Sequence, residues 1–343
     1  MAGRNPAAMP SQLISVVVPV YNEAGNIEPC LRGLWASLQQ VPHEILVCYD
    51  FDEDDTLPAI AAMGDAPPSV RLVKNDLGRG AAFALRAGFA AAQGDVVVVT
   101  MADLSDPPEP IVEIARLVRE EHLAVVCGSR YMPGGSQTGG PWVKSTLSRI
   151  ACLALRWVAG MGTHDATNNF KAYSKSFLAR TEIQSTHAFD IALELATKAH
   201  LAGAGVGQVP SSWVDRSAGD SRFQVWAWMP SYLRWWLRAM AAPLVVWTSL
   251  AGLTACVLQY RSWPVPGVYL ALALAAGVSI LLVRAHRGRM RFTDAVIPVL
   301  WLLTPSMERG QLYFIDGAAL YAAVPLGVLG SWWLSTRGGP RRR

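Results

Sequence analysis

Between residues 14 and 130, short unbroken apolar runs alternate with stretches in which apolar positions recur every three or four residues. The runs "ISVVVPV", "EILVCY", "VRLV", "VVVVT" and "LAVVCG" show no polar/apolar alternation. That pattern predicts parallel strands buried on both faces. Between the runs, Ile27, Leu31, Leu34 and Leu38 form one helical stripe and Ile111, Ile114, Ala115 and Val118 another. Alternating β and α units predict an open α/β sheet with helices on both faces, and in such sheets ligands sit at the C-terminal ends of the strands.

Beyond residue 130 the pattern changes. A glycine-rich loop at 131–141, "YMPGGSQTGGP", leads into a helical stretch at about 142–160 and then into "THDATNNFKAYSKSF". The segment "FQVWAWMPSYLRWWLRAM" combines Trp and Tyr with Arg234 and Arg238, the make-up of a helix lying in a membrane interface. Residues 239–258 and 263–283 are uncharged and long enough to span a bilayer, 292–305 is a weaker span containing Asp294, and 317–334 is a better one. The basic clusters "RAHRGRMR" and "RGGPRRR" are expected on one cytoplasmic side. That places four spans, the third partly re-entrant, and an N-terminal domain facing the cytoplasm at the cytoplasmic membrane. The expected layout is a flexible 1–12, that α/β domain at 13–222, an interface helix at 223–238, a transmembrane domain at 239–336 and a basic tail at 337–343.

Composition supports this division. The chain is 52% hydrophobic and 16% charged, with a mean hydropathy of +0.24, and the apolar surplus falls after about residue 239. A net charge of +4 without a long basic run ahead of the C-terminus argues against nucleic-acid binding. The five cysteines are scattered and odd in number, which fits reduced, mostly buried thiols. The apolar run "LISVVVPV" is eight residues long and reads as a first strand, not as a signal peptide.

Candidate chemistry gathers at the strand ends. Tyr21, Asn22 and Glu23 follow the first run, and Asp50, Asp52, Glu53, Asp54 and Asp55 the second. Lys74, Asn75 and the Gly78-Arg79-Gly80 loop follow the third, and "MADLSDPP" the fourth. Any one of the acids at 50–55 reads as a helix cap or a solvated loop residue. Four polar clusters converging on one sheet edge read as a site. The stretch "GRGAAF" lacks the last glycine of the dinucleotide fingerprint and follows the third strand, which sets aside a Rossmann oxidoreductase.

Taken in order, "VVVPVYNEAGNI", Asp50 with Asp54, "GRGAAFALRAGFAAAQGD", "MADLSDPP", "GSRY…GG" and "RSAGDSR" resemble glycosyltransferase family 2. Within it the chain is similar to the polyprenyl-phosphate hexose synthases, the dolichyl-phosphate mannose synthase-like group, over about residues 14–238. The resemblance implies an A-type glycosyltransferase fold, Rossmann-like with a mostly parallel sheet. It implies a nucleotide-sugar pocket drawing on Pro19, Tyr21, Asn22, Glu23, Asp50, Lys74, Gly78, Arg79, Ala102 and Asp103. It further implies Mg²⁺ or Mn²⁺ with the donor diphosphate on Asp103, and phosphates of donor or lipid acceptor at Arg130, Arg216 and Arg222. Asn168 and Asn169 stand where relatives carry a Ser-Gly pair, and Asn169 is counted with the donor pocket.

Met101 stands where the family usually has the first Asp of its metal motif. One carboxylate meets the minimum for Mg²⁺ when phosphates and waters complete the shell, so weaker metal binding in the empty enzyme is expected, with metal arriving alongside the donor. Asp106 reads as an N-cap ahead of a helix, with a metal role as the alternative. A lipid monophosphate, with a second pKa of about 6, is already nucleophilic at neutral pH. The expected reaction is therefore an inverting single displacement with no dedicated base, and His164 and His187 are read as surface or supporting residues. Arg149 and Lys171 are each divided between facing the lipid phosphate and an ordinary structural place. Two alternatives stay open. One is a catalytically silent nucleotide-sugar-binding scaffold. The other is a processive polysaccharide synthase, although the Gln-x-x-Arg-Trp motif of such enzymes is missing from "YLRWWLRAM". UDP- and GDP-linked hexoses are not separated, and self-association is left open.

Overall fold

A computed structural model describes residues 12–186, 188–215 and 229–241, together with the backbone of 307–308 and 311–312. The backbone divides into two compact units, Met1–Met240 and Ala241–Arg343. In the second, the described residues form one antiparallel ladder between Met307–Glu308 and Gln311–Leu312. The spans expected at 239–336 and the basic tail otherwise lie outside the described residues. No helix among the described residues is long and apolar enough to cross a membrane.

The first unit is a three-layer α/β domain. All five expected runs are strands: β1 (Ile14–Pro19), β2 (His43–Tyr49), β3 (Val70–Lys74), β4 (Val96–Val99) and β5 (Val125–Ser129). Helices α1 (Ile27–Leu38), α2 (Thr56–Ala62), α3 (Ala81–Ala91) and α4 (Ile111–Glu120) connect them. There follow a short β6 (Ser136–Thr138), α5 (Trp142–Trp157), β7 (Lys171–Ser174), α6 (Lys175–Ala179), α7 (Ala188–Leu201), β8 (Val206–Pro210), β9 (Ser212–Val214) and a helix at 229–241, α8. The main sheet runs β3-β2-β1-β4-β7-β5-β8, and β6 pairs with β9 beside it. Pairs β3–β2, β2–β1, β1–β4 and β5–β8 are parallel, whereas β7 runs antiparallel to both of its neighbours.

Side chains of period two divide the core between the faces. Val16, Val18, Ile45, Val47, Val96 and Val98 pack with the stripes of α1 (Ile27, Leu31, Leu34, Leu38) and α4 (Ile111, Ile114, Ala115, Val118). Val17, Leu46, Val97, Val99 and Val125 face Leu85 and Phe89 of α3 and Ile191 and Leu195 of α7. Gly88 is where α3 comes closest to the sheet. A Cβ there would lie 2.4 Å from Val17 Cγ1 and 2.8 Å from Cys48 Sγ. Gly88→Ala is expected to cost about 1–3 kcal/mol by overpacking, read as a shift of the denaturant midpoint at unchanged slope.

Two sequence expectations need correction. β3 is not buried on both faces: it is the sheet edge, with Arg71 and Leu72 exposed. The central strand β7 was not expected at all, because Lys171 breaks the apolar run. The lysine is nonetheless fully buried, its Nζ donating to the Asn168 carbonyl. That leaves it no path to a lipid phosphate.

Helix α8 overlaps the expected interface helix, although 223–228 lie outside the described residues. Trp235 is 2% exposed, and the cations of Lys198, Arg234 and Arg238 lie 5.0, 5.2 and 4.5 Å from its ring centroid. It is a packing residue of the domain. Arg234 and Arg238 also donate to Gln184 Oε1 (2.9 and 3.3 Å). Cys30, Cys48, Cys127 and Cys152 are free, buried thiols; burial is the main reason that Cys48 is pushed up to about 12 and Cys152 to about 11.

Candidate active site

With β4 on one side of β1 and β2 and β3 on the other, the chain reverses direction across the sheet at the β1/β4 boundary. The loops leaving these strands diverge there and open a crevice. The loop after β1 is held by the acids after β2. The fully buried Asp54 accepts the Asn22 amide at 3.1 and 3.2 Å, Thr56 Oγ1 accepts that of Glu23 (2.9 Å), and Asp55 that of Ala24 (3.2 Å). Asn22 takes a left-handed φ of 54°, which asparagine tolerates, and Tyr21 meets Phe51 edge to face at 5.4 Å. Asp50 organises the next loop: Oδ1 accepts Asn75 Nδ2 and Oδ2 accepts the Gly80 amide, both at 2.7 Å. Gly80, at φ 112°, occupies backbone space closed to side-chain-bearing residues, and its amide opens α3. Lys74 is exposed and paired with Asp52 at 2.5 Å, a surface pair of small energetic weight.

The turn after β4 is tighter. Asp103 Oδ1 accepts both the amide (3.2 Å) and the hydroxyl (2.6 Å) of Ser105. Leu104 between them has φ 61°, a conformation that costs a non-glycine residue roughly 1–3 kcal/mol and is held where the surroundings over-determine it. Asp106 is not the helix cap that the sequence suggested. Helix α4 starts at Ile111 with Pro110 at its N-cap position. The Asp106 side chain turns inward, 8% exposed, and accepts Asn168 Nδ2 at 3.2 Å. Burial is the main reason its carboxyl is pushed up to about 7; Asn168 and Arg130 oppose that shift and the Asp103 charge adds to it.

These residues border a cleft of about 440 Å³ between the β4 and β5 ends, α5 and α8. One end is polar, with Asp103, Asp106, Arg130, Asn168 and Asn169; the wall is apolar, with Leu147, Ile150, Ala151, Leu193, Leu233 and Trp236. Trp236 Nε1 donates to the Ala151 carbonyl (3.1 Å) and ties α8 to α5. Arg130 forms a bidentate pair with the fully buried Asp165, Nε to Oδ2 at 2.6 Å and Nη2 to Oδ1 at 3.0 Å, and its backbone amide donates to the same carboxylate (3.2 Å). Burial alone would raise the Asp165 carboxyl, but the Arg130 charge and hydrogen bonds hold it below the usual carboxylate range. The pair engages Nε and Nη2, Nη2 also lies 3.4 Å from Thr167 Oγ1, and no contact among the described residues uses the Nη1 donors of the five-donor fork. The guanidinium of Arg130 lies 4.8 Å from the Tyr131 ring centroid and that of the exposed Arg149 5.5 Å from it, and the Tyr131 hydroxyl donates to Gln137 Oε1 (3.1 Å) and lies 3.3 Å from Ser148 Oγ. Arg149 borders a neighbouring hollow of about 450 Å³ with Arg130 and the glycine loop.

Of the site residues expected from sequence, Asp103, Arg130 and Asn169 meet in the cleft with Met101. Tyr21, Asn22, Glu23, Asp50, Gly78 and Arg79 belong to the loops beyond β1–β3, Lys74 ends β3, and none of them borders it. The loops are neighbours even so, since the carboxylates of both Asp103 and Glu23 add to the burial that pushes the Cys30 thiol up to about 12. Pro19 is a buried strand residue opposite Cys48, and the Ala102 side chain lies in the core. Arg216, Arg222 and His187 lie outside the described residues. His164 is half-buried on Gln208, away from the cleft lining. Asp165 and Thr167 went unnoticed as supporting residues, because an isolated polar residue in an irregular segment carries no periodic signal.

Among the described residues no three His, Cys, Asp or Glu side chains assemble into a metal cage. The donor set suits instead a hard cation that shares its shell with phosphates and water. Asn169 adds to this fit: it is 6% exposed, and its buried Oδ1 has no hydrogen-bond partner among the described residues.

The signature of Glycosyl transferase family 2 matches residues 15–181. The polyprenol monophosphomannose synthase of Mycolicibacterium smegmatis is 31% identical over 231 residues, covering 64% of this chain and 85% of that protein. The dolichol-phosphate mannosyltransferase of Pyrococcus furiosus is 28% identical over 213 residues, covering 62% of this chain and 59% of that protein. Among solved structures, glucosyl-3-phosphoglycerate synthase from Mycobacterium tuberculosis with Mn²⁺, UDP-glucose and phosphoglyceric acid superposes with a TM-score of 0.50 at 21% identity. That match covers 67% of this chain and 80% of the other and places the first unit in the same fold.

Proposed function

This chain is a member of glycosyltransferase family 2, and on that premise we propose that it transfers one hexose from a nucleotide sugar to a polyprenyl phosphate. The observation that carries this reading is the division of the cleft into a polar end and an apolar wall. An acceptor with an anionic head and a hydrocarbon tail matches both. The names of the two relatives, each a mannose synthase or mannosyltransferase acting on such a lipid phosphate, support the same acceptor class.

In the proposed reaction a phosphate oxygen of the acceptor attacks the anomeric carbon from the face opposite the leaving group. The bond from that carbon to the donor diphosphate breaks, and its electron pair leaves with the nucleoside diphosphate. Configuration inverts, and no proton is moved, because the lipid phosphate is already ionised near neutral pH. Asp103 would hold Mg²⁺ or Mn²⁺, which when bound supplies charge neutralisation at the departing diphosphate. Arg130, fixed by Asp165, would present its remaining donors to phosphate oxygens as they gain charge.

A lipid acceptor requires work at a membrane surface. The face of α5 suits this, since Trp142, Ile150 and Trp157 are 78%, 60% and 75% exposed. Catalysis at the cytoplasmic face of a membrane is part of the proposal. Ile150→Asp puts a charge on the apolar wall at an exposed position, so the fold should tolerate it. The expected result is a rise of about tenfold or more in KM for the lipid acceptor, as from about 1–3 kcal/mol of lost apolar contact, with KM for the donor unchanged. An unchanged acceptor KM would place the prenyl chain elsewhere.

A further inference from the structure

We propose that Asp106 is the second carboxylate of the metal site, taking the place of the acid that the family carries at the Met101 position. The inference rests on the reading of the cleft as the metal and diphosphate end of a glycosyltransferase site. Asp106 has no helix to cap, because Pro110 occupies the N-cap position of α4. Its side chain is 8% exposed yet borders the same cleft as Met101, Asp103 and Asn169. Among the described residues Oδ1 accepts from Asn168, and Oδ2 accepts from none.

The left-handed turn at Leu104 brings the chain round so that residues 103, 105 and 106 all return to the cleft lining. A second observation points to a ligand at the same place. The Asn169 amide oxygen is buried, borders the cleft and is left without a donor. A buried acceptor without a partner is rare and calls for a ligand or ion. Two carboxylates and an amide oxygen are hard donors suited to Mg²⁺ or Mn²⁺, and a thioether such as Met101 is not.

The test is Mn²⁺ binding to the full chain in detergent, read from the electron paramagnetic resonance of free Mn²⁺, without donor sugar and with no turnover. Asp106→Asn preserves shape and the Asn168 contact. It is expected to weaken Mn²⁺ binding at least tenfold, as is Asp103→Asn, with UDP or GDP binding in EDTA unchanged. Adding Met101→Asp to Asp106→Asn is expected to restore most of the affinity. Asn169→Ala, which removes the orphaned oxygen and no charge, should cost several-fold and serves if Asp106→Asn does not fold. Wild-type affinity in both Asp106→Asn and Asn169→Ala, with affinity lost in Asp103→Asn, would overturn the proposal and leave the proposed reaction standing. No Mn²⁺ or nucleotide binding in the wild type would overturn both.

Discussion

Arg130→Ala is expected to destabilise the first unit by about 3–5 kcal/mol and to abolish transfer. The large cost comes from what the substitution leaves behind: Asp165 is fully buried and receives Nε, Nη2 and the backbone amide of residue 130. Removing one member of a buried pair strands the other charge. The pH dependence has a definite sign. In the wild type the Asp165 carboxyl lies below its unfolded value, so the unfolded chain binds more protons across that interval and stability rises with pH there. The pair's contribution is present above the unfolded carboxylate value of about 4 and is lost as pH falls through the folded one. In Arg130→Ala burial dominates, the carboxyl moves up, and the same contribution falls with rising pH. Denaturant unfolding at pH 4 and pH 7 checks this: the deficit should be larger at pH 7. Arg130→Lys should recover only part of it, since an ammonium lacks the planar two-donor edge. An equal deficit at both pH values would mean that Asp165 is not held as an ion by Arg130.

Asp103→Ala is expected to separate chemistry from folding. Asp103 accepts the amide and the hydroxyl of Ser105 within its own turn, and the residue is half-buried. A stability change of about 1 kcal/mol is expected. Transfer should fall by about 10³-fold or more, because charge stabilisation at a departing group acts in the transition state. EDTA should produce a loss of the same order in the wild type and little further loss in Asp103→Ala. A variant that stays folded and keeps a tenth or more of its transfer rate would place the diphosphate elsewhere in the molecule.

The sheet was readable wherever burial on both faces leaves an unbroken β-branched run, as at Val16–Val18 and Val96–Val99. It was misread where the physics is less local. β3 looks like a core strand but sits at the edge, and nothing in five residues says which strand comes last in a sheet. β7 escaped because Lys171 breaks the apolar pattern, and the acceptor that satisfies it, the Asn168 carbonyl, belongs to a turn whose fold is set by the tertiary structure. Of the polar clusters read after β1, β2, β3 and β4, the one after β4 borders the cleft through Asp103, together with Arg130 and Asn169. The Asp106 misreading has a simple cause. Asp before Pro-Pro is the usual signal of a helix start, and the helix begins four residues later than that signal implies. Asp165 was invisible because its importance lies in a partner 35 residues away.

The central claim is transfer to a lipid phosphate, and the most direct measurement uses the full chain in detergent. Labelled UDP- and GDP-hexoses are offered with undecaprenyl phosphate and Mg²⁺ or Mn²⁺, in parallel with EDTA and with Asp103→Ala. The expected result is a lipid-extractable, phosphate-linked sugar from one donor that disappears with EDTA and with Asp103→Ala. No lipid-linked product from any donor, with nucleotide binding intact, would contradict the proposed reaction and favour a nucleotide-sugar-binding scaffold.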